Sequence, residues 1–157
     1  MKPAFHQKAL VLHPLSHMHG EYMTEDRIRS LYLDEDYNCA ESTLIYLNER
    51  LNLGLSMEDI HLVSAYGGGF GCGITCGALC ASMAALGRVL VSQRAHSTQG
   101  FKQICADYVS LFRQRMGCID CSTLKEKNTI EGQRCLKTVV ENAELIESYL
   151  KENRQGD

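Results

Sequence analysis

Tryptophan is absent from the 157 residues, and the only two prolines, Pro3 and Pro14, stand near the start. The body of the chain therefore lacks the strongest helix breaker. Positive charge is not in excess either: 16 Lys and Arg face 19 Asp and Glu, for a net charge of −3. That balance gives no electrostatic footing for nucleic acid or an anionic membrane surface, and neither is expected as a partner. The longest apolar stretch, Gly77 to Val91, is interrupted by Arg88 and is too short to span a bilayer. The early run Ala9-Leu10-Val11-Leu12 is too short for a secretory signal. No segment alternates with period two, so no strand is predicted. The glycine run at 67–73 lacks a following Gly-Lys-Ser/Thr and a preceding strand, which removes a Walker loop and a dinucleotide fold. Without a Cys-x-x-Cys-His, covalent haem is not expected.

What the chain does have is thiols. Eight cysteines are many for a domain of this size. With no export signal in view, the expected compartment is the reducing cytoplasm, where clustered cysteines bind metal or do redox chemistry more often than they form disulfides. The hydrophobic share of 45% with 22% charge reads as one globular domain.

Residues 1–22, with His6, His13, His17 and His19, both prolines and little periodicity, read as an N-terminal extension. The domain then runs over 23–157. Thr24-Glu25-Asp26 starts a short helix reaching about Leu33. Asn38-x-x-Glu41 is a capping-box pattern, opening a helix with Ala40, Leu44, Leu47 and Leu51 inward and closing at Asn52 and Gly54. Ser56-x-x-Asp59 caps a third. A helix from about Ile74 to Val91 follows the glycines, a fifth begins near Ser97 or Thr98, and Asp120 caps a short turn of helix through Leu124. Asn128-x-x-Glu131 offers the cap of the last, which carries Leu136, Val139, Val140, Ala143, Ile146 and Leu150. The expectation is an all-α single-domain bundle of about five or six helices.

Its centre should be the stretch from Gly67 to Gly87. Five glycines in seven residues (Gly67, Gly68, Gly69, Gly71, Gly73) suit a loop and no helix interior. This loop is the candidate cofactor-binding segment. Beyond it, Gly73, Gly77, Ala81 and Ala85 form one four-step row and Cys72, Cys76 and Cys80 another, so another backbone can approach the small row with the thiols on its flank. Such a helix is either enclosed by its own chain or packed on a twofold mate, and a homodimer is expected.

Four cysteines fall near predicted helix starts: Cys39 after Asn38, Cys76 after the glycine loop, Cys121 after Asp120, and Cys135 two turns after Asn128. Helix N-termini favour thiolates, the form that ligates metal and attacks disulfides, so the four are expected to converge on one site. Cys76 should be the most thiolate-like. Cys105, on an apolar helical face, should be the least reactive and only fill space. Cys72, Cys80 and Cys118 are possible additional thiols; Cys118 and Cys121 make a lone Cys-x-x-Cys, a weak signal by itself.

Asn38-Cys39-Ala40-Glu41, the triple glycine leading into Cys76-Gly77-Ala78-Leu79-Cys80-Ala81, Gly117-Cys118-Ile119-Asp120-Cys121 and Cys135 together resemble a family of cysteine-rich redox-active proteins. That family is named for the C_GCAxxG_C_C pattern, read here as Cys…Cys-Gly-Ala-x-x-Gly…Cys…Cys. The resemblance covers about residues 24 to 150. It implies that Cys39, Cys76, Cys121 and Cys135 are the family set and that Cys72, Cys80, Cys105 and Cys118 are additions. The motif's closing glycine is read as Ala81 in this chain. The expected function is a small redox or electron-transfer protein with a redox partner protein, its four thiolates holding an iron–sulfur cluster or another soft metal, zinc included. The alternatives are a metal-free thiol–disulfide oxidoreductase and a structural zinc-binding interaction module.

Overall fold

The computed structural model describes residues 23–154. The histidines of residues 1–22 lie outside the described residues. Among the described residues there are seven α-helices: α1 Thr24–Arg29, α2 Cys39–Leu51, α3 Met57–Ile60, α4 Gly77–Leu90, α5 Phe101–Met116, α6 Cys121–Asn128 and α7 Leu136–Arg154. The architecture is all-α, with more helices than the five or six expected. Among the described residues there is no strand, only two isolated antiparallel bridges, Thr75 with Asp120 and Ile130 with Arg134.

Three of the caps read from sequence, Asn38, Ser56 and Asp120, are in place. Asn38 accepts hydrogen bonds from the Ala40 and Glu41 N–H groups at 2.9 and 3.1 Å, while Glu41 accepts from the Asn38 N–H at 3.0 Å. Such a box satisfies donors that a helix start otherwise leaves open. Asn52 closes α2 in the left-handed conformation, and Ser56 with Asp59 boxes α3. Several boundaries differ from expectation: α1 ends at Arg29 and passes into a π-turn, α5 starts at Phe101 and not near Ser97 or Thr98, and α6 runs on past Leu124 to Asn128. The helix after the glycines starts at Gly77, because residues 68, 69, 70, 71 and 73 all have positive φ. Cys72 and Gly73 thus precede α4 and extend neither helical row. Asn128 ends α6 and does not cap α7; its side chain donates to the Thr138 hydroxyl at 3.0 Å.

Helix α4 is central, packed by α2, α5 and α7 of its own chain. Gly77, Ala81 and Ala85 are buried there, so the small row is covered within one chain. The apolar stripes of α2 and α7 meet it with Ala40, Leu44 and Leu47 and with Val139, Ala143 and Ile146, all buried. A polar knot fixes the register: Asn142 donates to the Ala78 carbonyl at 3.2 Å and to the Ser82 hydroxyl at 3.0 Å, and the Tyr108 hydroxyl donates to Asn142 at 2.9 Å. Leaving one such buried partner unpaired costs about 1–3 kcal/mol, so α4, α5 and α7 lock in one alignment.

Candidate functional site

The four cysteines near helix starts do come together. Cys39 is the first residue of α2, Cys76 the N-cap of α4, Cys121 the first residue of α6, and Cys135 immediately precedes α7. All four line one cavity of about 230 Å³, with Gly68, Tyr32, Lys125, Thr129, Arg134 and Thr138 among the other wall residues and Leu124 and Val139 as its apolar floor. The starts of four helices therefore border one small space, where their positive dipole ends favour negative charge, although Asn38 and Asp120 already accept from first-turn N–H groups of α2 and α6.

Close approach needs glycine. A Cβ at Gly77 would stand 2.7 Å from the Cys39 sulfur and 2.6 Å from the Tyr66 carbonyl oxygen; one at Gly69 would stand 2.7 Å from the Cys121 Cβ. Gly67 is pressed against the Asn38 side chain in the same way, at 2.8 Å. Of the glycine loop, Gly68 faces the cavity, whereas Gly71 and Gly73 line an outer groove that shares Gly68 and Cys121 with it. Gly68 to Gly71 form a left-handed turn, with Phe70 at φ 60° as its one non-glycine member.

The thiols outside the cavity differ. Cys72 is exposed on the outer groove, its sulfur donating to the Gly69 carbonyl at 3.4 Å. Cys118 points at the Asp120 carbonyl at 3.8 Å, Cys80 sits one turn into α4, and Cys105 is half-buried on α5. All eight are free cysteines.

Burial, not the helix dipole, sets the thiol chemistry of the metal-free chain. Cys76 is only 6% exposed. That burial, together with the charges of Cys39 and Cys121, pushes it up to about 12, although the Leu79 and Ala78 N–H groups work the other way. The expectation that Cys76 is the most thiolate-like is therefore corrected: desolvation of the charged form outweighs the helix end. Cys39 is raised by burial and by Cys135, against the Gly68 N–H. Cys121 is raised by burial and by Cys39 and Cys135, with Lys125 opposing. Tyr32, which no sequence signal pointed to, is raised to about 12 by burial and by Cys135 and Cys39. Thiols that resist ionising together need a cation among them to become thiolates together. Among the described residues, however, no three His, Cys, Asp or Glu side chains are gathered closely enough to hold a metal ion.

The family model described as "Putative redox-active protein (C_GCAxxG_C_C)" matches residues 37–149. The chain belongs to this family. The C_GCAxxG_C_C match spans all four helix-start cysteines and the glycine loop. Neither curated proteins nor solved structures give a match. No described helix is long and apolar enough to cross a membrane.

Proposed function

We propose that this C_GCAxxG_C_C protein is a small redox or electron-transfer protein in which Cys39, Cys76, Cys121 and Cys135 hold an iron–sulfur cluster or another soft metal. The observation that carries the reading is the convergence of four thiol-bearing helix starts on one cavity of about 230 Å³. The donor set fits such a group, since all-thiolate sites select iron–sulfur clusters or zinc. A single zinc with Zn–S bonds near 2.3 Å would draw four sulfurs to about 3.8 Å from one another. The described thiols are not drawn together so closely. A cluster of several metal atoms asks less contraction of the chain and is preferred over zinc. Such a group supplies one-electron exchange.

The chain's own contribution is distinct. Four helix N-termini and the Gly68 N–H favour negative charge on the thiolates, and Leu124 and Val139 give the cavity an apolar floor. Free thiols fit a reducing compartment, so the cytoplasm is the proposed location. Electron exchange requires a redox partner protein. A homodimer would have to form away from the small-residue row of α4, which α2, α5 and α7 cover within one chain, and sedimentation at micromolar concentration tests it.

Anaerobic purification followed by metal analysis, sulfide assay and thiol count tests the reading. Iron with acid-labile sulfide and broad visible absorbance, both lost in Cys39→Ser, is the expected result. A colourless protein that stays metal-free after iron and sulfide are supplied would overturn it. A colourless protein bearing zinc would favour the structural-zinc alternative.

A further inference from the structure

The four thiols are not held with equal firmness. Cys76 and Cys121 are fastened to each other through backbone: the Cys76 N–H donates to the Ile119 carbonyl at 2.9 Å and the Cys121 N–H to the Ile74 carbonyl at 2.6 Å, around the Thr75–Asp120 bridge. Cys39 is set by the capping box of α2 and lies against Gly77. Cys135 is held only by local backbone, its carbonyl accepting from the Val139 N–H at 3.2 Å and its neighbour Arg134 bridging to Ile130. It ends the turn that follows α6, its N–H reaches only the Tyr32 hydroxyl, at 3.4 Å, and its sulfur lies 3.6 Å from the Thr129 hydroxyl.

The turn is tied down instead by the preceding residue. Arg134 donates to the Tyr32 carbonyl at 3.3 Å, pairs with the Asp36 carboxylate, and lies over the Tyr32 ring at 5.3 Å from its centroid. These contacts join segments about a hundred positions apart in sequence. Both partners of the ion pair have left-handed backbone, φ 50° at Arg134 and 59° at Asp36. Non-glycine residues hold that conformation when their surroundings over-determine it, and such positions cluster at functional sites.

We infer that Arg134, Asp36 and Tyr32 form a clasp that positions Cys135 over the cavity and sets how readily this fourth thiol leaves and rejoins the other three. As a device for loading and unloading, the clasp rests on the four-thiol reading above; as a structural restraint it belongs to the metal-free chain. Arg134 is a positioning residue, acting through Cys135. The ion pair is largely exposed, with 48% and 76% of its side-chain surfaces open, so salt weakens it and the clasp is built to open. Lysine is no substitute, since it lacks the flat, many-donor guanidinium that bonds a carbonyl and a carboxylate while stacking on a ring.

The test has two arms on the full chain. In the first, reduced metal-free protein is alkylated with limiting iodoacetamide and mapped by peptide. Arg134→Ala should raise Cys135 labelling about tenfold relative to Cys105, with Cys76 unchanged. Asp36→Asn, which keeps size and fold, should raise it less, and the double variant should add nothing to Arg134→Ala alone. In the second, the protein is loaded with Co²⁺ and mixed with excess EDTA. Arg134→Ala should speed release about tenfold while the sulfur-to-cobalt charge-transfer band at saturation keeps its wild-type intensity. Unchanged Cys135 labelling in both single variants would overturn the clasp. Raised labelling in a protein that binds neither Co²⁺ nor, when iron and sulfide are supplied, an iron–sulfur cluster would leave the clasp standing and remove the four-thiol reading.

Discussion

Substituting Gly69 and Gly71 separates backbone strain from the packing of the site. Both glycines belong to the left-handed turn, with φ of 62° and 71°. An alanine at either position carries the left-handed penalty of about 1–2 kcal/mol. At Gly71 that is the whole effect, because nothing lies within 4 Å of the added Cβ. At Gly69 the new carbon would meet the Cys121 Cβ and the Ile74 nitrogen, each at 2.7 Å, and the Thr75 oxygen at 3.2 Å. Two of these are backbone atoms of the segment that bridges to Asp120, so they cannot swing aside as a side chain would. Overpacking of this kind adds about 1–3 kcal/mol, for a total of about 2–5 kcal/mol at Gly69 against about 1–2 at Gly71. Urea denaturation of the reduced, metal-free proteins, with equal m-values as the check on two-state behaviour, reads the difference directly. Equal losses for the two variants would refute the close packing of the loop on Cys121.

Other perturbations follow from the same structure. Gly87→Ala, in α4 with no atom near the added Cβ, should stabilise by about 0.5–1 kcal/mol in the same assay. Asn38→Ala removes both the α2 cap and a 2.9 Å hydrogen bond to the Ser64 carbonyl, and should cost about 1–2 kcal/mol and raise Cys39 labelling. Limiting iodoacetamide should modify exposed Cys72 well before buried Cys76, and Cys76→Ser should abolish bound metal with helicity by circular dichroism nearly unchanged. Burial works to raise the Glu147 carboxyl, but hydrogen bonds from Lys151, Tyr46 and Arg50 hold it below the ordinary range. The folded state thus binds that proton less readily than the unfolded chain. Its stabilising contribution is full above the unfolded value of about 4.3 and is lost as pH falls through the folded one. Wild type should therefore lose stability more steeply than Glu147→Gln between about pH 5 and pH 3.

The parts of this fold legible in the sequence are those written locally. Asn38 with Glu41, Ser56 with Asp59, and Asp120 each announce a helix start within four residues, and the structure keeps all three. The centrality of α4 was legible too, from its small and apolar residues. Features that depend on distant partners were not. Asn128 with Glu131 has the spacing of a cap, yet the turn after α6 takes precedence and α7 begins at Leu136. The glycine run signalled a loop but not its hand. The sequence placed Cys76 near a helix end, which favours a thiolate, but could not show that α2, α5 and α7 bury that end. Arg134 and Asp36 look like ordinary surface charges until their left-handed backbones and shared neighbour Tyr32 are seen together.

The Thr75–Asp120 bridge has a consequence for the order in which this protein assembles. It joins two segments that the whole of α4 and α5 separates, so Cys76 and Cys121 meet only after those helices have docked. Cys39 lies further away still along the chain. An unfolded chain therefore offers a metal only local groups of thiols, Cys72, Cys76 and Cys80 or Cys118, Cys121 and Cys135, and closing the longer loops costs entropy that grows with their length. A ligand of all four thiols binds the folded chain and hardly the unfolded one, so nearly all of its binding free energy appears as added stability. On the proposed four-thiol reading, folding comes first and loading second, the reverse of small zinc modules in which the metal gathers the chain.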